Sequence, residues 1–289
     1  STESESMAIT ASQVAELRTL TGAGLMDCKK ALEESGGNIE AARDWLRKKG
    51  ISVAAKKSDR ATKEGSVAMA ISPDKATGAL VRLASETDFV ARNDEFKKLI
   101  GDLANQVLAK GADDLANQAV VKGSGKVQDQ ITAAIAKMGE NLQLMDAGRL
   151  EVKGGVIGGY VHSNSKIGVL VALKADGKAE PAKLEPLARD IAMHVAASQV
   201  TAVSPDQLSP EQVAKEKEIL IAQAAESGKP KDIVEKMVQG RLAKYLKEIT
   251  LLSQPFVKDP EKTVEQLLAE NGKALGAKLS VEKFVKLQF

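Results

Sequence analysis

Two separate stretches of the chain repeat one pattern, in which a glycine precedes each of two strands. The first stretch has Gly65 and Gly78, and the second has Gly155 and Gly168 with the same separation. In each stretch the two strands are joined by a loop and followed by a helix pattern. The repeat constrains the chain to an α+β fold with two related subdomains, each a small antiparallel sheet covered by helices.

The segment before the first repeat has the pattern of three short helices. Thr10 and Gln13 form a capping box, which marks the start of the first helix. The glycines at 36–37 end the second helix, which is predicted to face inward through Leu25 and Cys28. We predict a three-helix, ubiquitin-associated-like bundle that is only marginally stable alone, because it buries little apolar surface.

The helix and strand patterns divide the chain into four predicted parts. These are the bundle over residues 7–52, a basic linker over 53–64, and two core subdomains over 65–145 and 146–289. The second core subdomain includes a protruding pair of helices over about 209–250. A serine cap followed by proline marks the start of that pair.

The residue content limits the active sites that the chain can form. It has two histidines and one cysteine, whereas a zinc site needs about four clustered nitrogen and sulfur ligands. Because no phosphate-binding loop or dinucleotide motif occurs, we expect no cofactor, no metal and no enzyme activity. A catalytic triad assembled in space is left open. Low cysteine content and the lack of a long apolar run favour a cytoplasmic protein without a membrane partner.

The segment at 86–91 places a carboxylate and an aromatic ring at the junction of a predicted strand and a predicted helix. Aromatic residues make up only 3% of the chain, so a phenylalanine beside an acid at a turn is a notable use of one. Two interpretations are open. Either Phe89 is a core residue and Asp88 caps the turn, or the pair sits on a rigidly supported corner and carries function.

The basic stretch from 47 to 63 also has two interpretations. It is a solvated linker, or it contacts an acidic partner or a phosphate backbone. Aromatic side chains that stack on bases usually accompany such lysines in nucleic-acid sites, and this stretch has none. We therefore expect a linker and no direct nucleic-acid partner.

Six segments resemble, in the same order, segments of one protein family. Residues 21–32 (TGAGLMDCKKAL) and 86–91 (ETDFVA) resemble the two signatures of the elongation factor Ts family. The other four matches lie at 137–141, 191–198, 228–230 and 254–257. Six collinear matches are far more specific than one short motif, and they cover nearly the whole chain.

The resemblance implies a guanine-nucleotide exchange factor of translation elongation, which acts by binding and without covalent chemistry. Its partner would be elongation factor Tu, in both the GDP-bound and the nucleotide-free form. Thr87, Asp88, Phe89 and Val90 would form an exchange wedge near the partner's Mg²⁺ and phosphate site, and Asp88 is expected not to ligate the ion. Further partner contacts would come from Lys29, Met138, Gly139, His162, Met237 and Val238.

These further contacts have structural alternatives that the sequence leaves open. Lys29 is then part of a solvated helix face, Gly139 a helix C-cap, and Val238 a core residue. The apolar face of the helical pair also gives the expectation of a homodimer. A ubiquitin-associated-like adaptor would use only the bundle, and it would leave the segment at 86–91 unexplained.

The two ends of the sequence carry expectations of their own. Residues 1–6 are acidic and polar, unlike a signal or transit peptide, and we take them as a remnant of expression. At the other end, the chain stops inside a predicted strand at Phe289. Members of the family commonly continue with a glycine-rich segment and a C-terminal helix, so part of the grip on the partner is expected to be absent from this sequence.

Overall fold

A computed structural model describes residues 8–289, so the expectation for residues 1–6 lies outside the described part. The chain divides into two compact units. The first contains the residues as far as 66, then 81–146 and Phe289, and the second contains 67–80 and 147–288. Among residues 8–289, none of the helices has both the length and the apolar character that crossing a bilayer requires. The predicted domain bounds at 52, 64 and 145 stay predictions.

Three helices begin the first unit: α1 (Ala11–Thr21), α2 (Leu25–Glu34) and α3 (Ile39–Lys57). The predicted capping box is present, because Gln13 N donates to Thr10 Oγ1 while Thr10 N donates to the Gln13 side chain. The predicted helical start of the chain is thus confirmed. Helix α3 continues as far as Lys57 and so includes much of the basic stretch.

The core of these three helices is small and contains the single cysteine. Leu17, Cys28 and Leu32 are completely buried, and burial raises the pKa of the Cys28 thiol. The expectation that Leu25 faces inward was wrong, since its side chain is 55% exposed. Helical side chains lean toward the N-terminus of their helix, and Leu25 is the first residue of α2, so it projects past the helix start.

The first sheet has three strands in the order β1-β2-β3: β1 (Glu64–Ile71), β2 (Thr77–Ser85) and β3 (Leu142–Glu151). The first two strands confirm the predicted hairpin of the first repeat. After β2 the chain forms a single helical turn, α4 (Asp88–Ala91), and then α5 (Asp94–Lys110). The junction between β2 and α4 is where the sequence places its carboxylate and aromatic pair.

Helix α6 (Val127–Met138) packs against α3 within the first unit. A close approach is made at Gly50 of α3, where a Cβ atom would lie 3.8 Å from Thr132 Cγ2. The Arg47 guanidinium lies 3.5 Å from the Asp129 carboxylate across the same interface. Helix α3 therefore packs both within the N-terminal bundle and against α6, which lies between β2 and β3 in the chain.

The second unit is built on a sheet of β4 (Gly155–Val161), β5 (Ile167–Gly177) and β8 (Ala277–Gln288), in that order and with antiparallel pairing. Helix α7 (Pro181–Ala197) packs on β4 and β5. The core between sheet and helix is built mainly of apolar residues such as Leu173, which is completely buried. This confirms the second predicted hairpin, its following helix and the terminal strand.

The second position of each repeat requires glycine for the same structural reason. A Cβ atom on Gly78 would lie 2.6 Å from Ile157 Cγ2, and one on Gly168 would lie 2.5 Å from Val67 Cγ1. Each glycine thus lies against the first strand of the other repeat, at a distance that no larger residue allows. The glycine pattern in the sequence records this reciprocal close packing.

The rest of the second unit contains a helical pair, a two-stranded sheet and a helix that packs on the main sheet. The pair is α8 (Pro210–Ala225) and α9 (Lys231–Ile249), which pack on each other. A two-stranded sheet of β6 (Pro255–Phe256) and β7 (Asp259–Thr263) follows. Helix α10 (Val264–Leu275) then packs against β8. The predicted α+β class and the predicted helical pair are both present.

Candidate functional site

The corner between β2 and α4 is held by short-range hydrogen bonds. Thr87 is the N-cap of α4, and its hydroxyl accepts a hydrogen bond from Val90 N at 3.3 Å. Two residues before this N-cap, Ser85 Oγ donates a hydrogen bond to the Thr87 carbonyl oxygen at 2.8 Å. An N-cap threonine followed by an acid in the first turn is the local signal that starts a helix here.

A second segment of the chain braces this corner through two reciprocal carboxylates. Glu140 accepts hydrogen bonds from Glu86 N at 3.1 Å, from Thr87 N at 3.0 Å and from Thr87 Oγ1 at 2.5 Å. In return, Glu86 Oε1 accepts from Asn141 N at 2.8 Å. The segments at 86–91 and 137–141 thus meet in space, and both contributing glutamates are half-buried. Sequence reasoning did not assign a role to Glu140.

Phe89 projects from the braced corner into solvent. Its side chain is 85% exposed, which excludes the interpretation of Phe89 as a core residue. Beside it, Asp88 forms an ion pair with Arg92 one helical turn later, and Val90 is half-buried. A large apolar ring held in water on a rigid support is a typical anchor for a protein partner.

Met138 and Gly139 lie next to Glu140 at the end of α6. Gly139 is the C-cap of that helix, with φ at 77°, and Gly139 N donates to Ile135 O at 3.0 Å. This conformation suits glycine because a side chain is strained in the left-handed region. Residues 138–139 directly precede Glu140 and therefore lie beside the segment that braces Phe89. The side chain of Met138 is half-buried.

Lys29 is exposed on α2, in the first unit. The start of the same helix also exposes two large apolar side chains, Leu25 at 55% and Met26 at 72%. Sequence reasoning missed both residues as surface features because the helical period assigned Leu25 to the core. Two exposed apolar side chains and a lysine on one helix make a second surface suited to protein contact.

His162 lies at the end of the β4–β5 hairpin in the second unit and is exposed. Its Nδ1 atom lies 2.9 Å from the Tyr160 hydroxyl, and the two rings are 6.1 Å apart. The nearby backbone is ordered by the turn, since His162 N donates to Ile167 O at 2.9 Å. The ring is therefore held at a hairpin tip by a defined partner and stays open to solvent.

The two predicted contacts on α9 differ in accessibility. Val238 is 3% exposed and packs with Leu220 and Ala224 in the core of the helical pair. Its side chain therefore holds α8 and α9 together. Met237 is half-buried, so part of its side chain is accessible to a partner, unlike that of Val238.

A separate polar network in the second unit surrounds the other histidine. His194 is 1% exposed, Val257 N donates to its Nδ1 at 3.1 Å, and its Nε2 donates to Gln254 Oε1 at 2.8 Å. The Phe256 ring stacks on it at 5.9 Å. Burial lowers the pKa of His194, which favours the neutral ring. Since Nδ1 accepts from Val257 N, the proton of the neutral ring lies on Nε2. This histidine is a core residue, and it joins the segments at 191–198 and 254–257.

The described residues contain no group of three or more histidine, cysteine, aspartate or glutamate side chains that could hold a metal ion. Among the exposed features in the described part of the first unit are an aromatic ring on a braced corner and a lysine beside apolar side chains. Such features are typical of surfaces that bind a macromolecular partner.

Comparison with known proteins gives the family. A family model described as Elongation factor TS matches residues 86–289. The chain is 47% identical to elongation factor Ts of Nitratidesulfovibrio vulgaris strain DP4 over 286 residues, which cover 98% of this chain and 96% of that protein. It is also 47% identical to elongation factor Ts of Caulobacter vibrioides, over 96% of this chain and 91% of the relative. The chain belongs to the elongation factor Ts family and is thus an elongation factor of protein biosynthesis.

Proposed function

We propose that this protein is a guanine-nucleotide exchange factor that binds elongation factor Tu–GDP and promotes GDP release during translation elongation. The observation that carries the proposal is the 85% exposure of Phe89 on a corner braced by Glu140, in a chain of the elongation factor Ts family. The activity requires binding alone, without covalent chemistry or a cofactor of its own. The proposal places the protein in the cytoplasm, where its partner acts, without a direct nucleic-acid or membrane partner.

The proposed mechanism uses Phe89 as a wedge. GDP is held in such GTPases by a phosphate loop and by Mg²⁺, so release requires weakening both sets of contacts. Burying a phenylalanine side chain is worth about 1.5–3 kcal/mol, which corresponds to roughly 10- to 150-fold in an equilibrium constant. Insertion of the ring between helices of the partner's nucleotide domain offsets the cost of moving a helix that orders the metal's water shell.

Asp88 acts beside the ring as a negative charge and hydrogen-bond acceptor, and it does not ligate Mg²⁺ in this proposal. Thr87 and Val90 complete the wedge by fixing the first turn of α4. Binding of nucleotide and of exchange factor must be reciprocal, so each weakens the affinity of the other by the same factor. The protein therefore also binds elongation factor Tu without nucleotide.

The remaining predicted contacts are also proposed to serve binding of the partner. Lys29 is proposed to contact the partner's nucleotide domain from α2, and Met138 and Gly139 to do so from beside the corner. On the second unit, His162 and Met237 are proposed to contact the partner, and Val238 to act through its place in the core of the helical pair. All of these assignments follow from the family resemblance, and the exposure of Lys29 and His162 also supports theirs.

We also propose that the helical pair supports a homodimer. The pair's own buried core is limited to Leu220, Ala224 and Val238. Three isoleucines on the pair remain 43–46% exposed: Ile219, Ile221 and Ile233. Exposed apolar side chains on a thin two-helix element favour self-association. Sedimentation at several concentrations tests this, because a mass that rises toward twice 30.6 kDa supports the dimer and a constant monomer mass contradicts it.

Release of a fluorescent GDP from elongation factor Tu tests the proposed function. We expect the wild-type chain to accelerate release, and Asp88→Ala and Phe89→Ala to lose most of that acceleration while staying folded. Val121→Ala is a matched control, since it removes an apolar side chain that is 43% exposed elsewhere in the first unit. A wild-type chain that neither accelerates release nor is captured by elongation factor Tu contradicts the proposal.

A further inference from the structure

We infer that Glu140 is a positioning residue for nucleotide exchange, which presents Phe89 to the partner in the geometry needed for binding. The inference rests on the proposed function and adds a residue that acts through the corner without touching the partner's nucleotide. It is carried by the hydrogen bonds of one carboxylate to three donors on residues 86 and 87.

The Thr87 hydroxyl transmits the position of Glu140 to the helical turn that bears Phe89. A hydroxyl has one proton, and here that proton is donated to Glu140 Oε1. The hydroxyl oxygen is thereby oriented to accept the hydrogen bond from Val90 N, which caps α4. Since α4 is a single turn of four residues, its N-cap decides its direction. Glu140 therefore fixes the direction in which Phe89 projects.

The support of the corner continues to the end of helix α3. Asn141 is 8% exposed, and its Nδ2 donates to Arg60 O at 3.0 Å and to Ser58 O at 3.4 Å. The Arg60 guanidinium also lies 3.5 Å from Glu86 Oε1. The residues after α3, the segment at 140–141 and the Phe89 corner are thus joined by one set of hydrogen bonds.

A held corner increases affinity by reducing the ordering that binding requires. If the corner samples several directions, only a fraction of molecules present Phe89 correctly, and the apparent dissociation constant rises by the inverse of that fraction. Saturating partner selects the competent fraction, so the maximal rate of release is retained. Loss of Phe89 is different, because it removes the wedge itself and lowers the maximal rate.

The first arm of the test uses the free protein and amide hydrogen exchange. Glu140→Ala removes the acceptor of Glu86 N and Thr87 N, and we expect exchange at these two amides to quicken by about tenfold or more. Glu140→Gln keeps one oxygen acceptor, so a smaller increase is expected, and it serves if the alanine variant does not fold. Glu261→Ala, an exposed glutamate on β7, is the matched control and is expected to leave these amides unchanged.

The second arm measures GDP release from elongation factor Tu over a range of protein concentrations. We expect Glu140→Ala to raise the half-saturating concentration by about 3- to 10-fold with a maximal rate within about twofold of wild type. In a Phe89→Ala background the same substitution is expected to have little further effect, since both changes act through one ring.

The outcomes separate the two claims. Unchanged amide exchange in Glu140→Ala overturns the inference, as does an equal shift in half-saturating concentration with and without Phe89. A wild-type chain that does not release GDP overturns the proposed function and the exchange part of this inference. The amide arm then still decides whether Glu140 holds the corner.

Discussion

The Phe89 corner and the His194 network are built in the same way, but one holds an exposed ring and the other a buried ring. In each, two segments far apart in the chain are joined by hydrogen bonds from side chains to backbone groups and to each other. At the corner, Glu140 and Glu86 hold a ring that is 85% exposed. At the network, Gln254 and Val257 hold a ring that is 1% exposed.

The two regions differ in the solvent exposure of the aromatic ring that each of them holds. Both pairs of segments belong to the six that resemble the family, so the resemblance alone does not separate function from architecture. Burial does separate them. A polar network that ends in a buried ring specifies the packing of the second unit, whereas one that ends in an exposed ring holds a surface ready for a partner.

The largest expected effect on stability comes from breaking the buried network. In His194→Ala, Gln254 Oε1 and Val257 N lose their partner, and a cavity replaces the ring. We expect the free energy of unfolding to fall by about 2–4 kcal/mol in denaturant titrations. His162→Ala removes an exposed histidine and is expected to change it by less than about 0.5 kcal/mol. Equal losses in the two variants would contradict the assigned roles.

A pH titration sharpens the same contrast. Burial lowers the pKa of His194 below its ordinary 6.5, so at mildly acidic pH the unfolded chain binds a proton that the folded chain does not. This contribution to stability is fully present above pH 6.5 and is lost as pH falls below that value. Its slope is at most about 1.4 kcal/mol per pH unit. In His194→Gln the decline in unfolding free energy between about pH 7.5 and pH 5.5 should be shallower. An unchanged slope would show that other groups cause it.

A smaller effect tests the support next to Glu140. Gly139→Ala places a side chain at φ 77°, and we expect a loss of about 1 kcal/mol in unfolding free energy. Gly101→Ala, inside α5 and with open space around the added methyl group, should instead gain about 0.5–1 kcal/mol. Thermal or denaturant unfolding of the two variants compares a strained with an unstrained glycine. A loss in both would mean that helix geometry does not explain Gly139.

Local patterns in the sequence predicted much of the fold. The glycines at 78 and 168 indicated two related hairpins because close packing between the repeats excludes a side chain at both positions. The capping box at Thr10 and the serine start of α8 were also readable, since both devices lie within four residues. Such signals can be recognised in the sequence because they depend only on residues that are neighbours in the chain.

The geometry of the candidate site was less predictable. The segment at 86–91 pointed to Asp88 and Phe89 as a candidate pair but left a core position open for the ring. Its support by Glu140 arises from a tertiary contact between distant segments, which neither periodicity nor capping rules reveal. The prediction for Leu25 was wrong because a helical period does not show that the first residue of a helix projects past the helix start.

The most direct measurement is release of fluorescent GDP from elongation factor Tu by wild type, Phe89→Ala and His194→Gln at equal concentrations of folded protein. The account predicts a loss of roughly 10- to 150-fold for Phe89→Ala, with an unfolding free energy within about 0.5 kcal/mol of wild type. It predicts a wild-type rate for His194→Gln. Wild-type release by Phe89→Ala, or an equal loss in His194→Gln, would contradict the claim that exchange depends on the exposed corner.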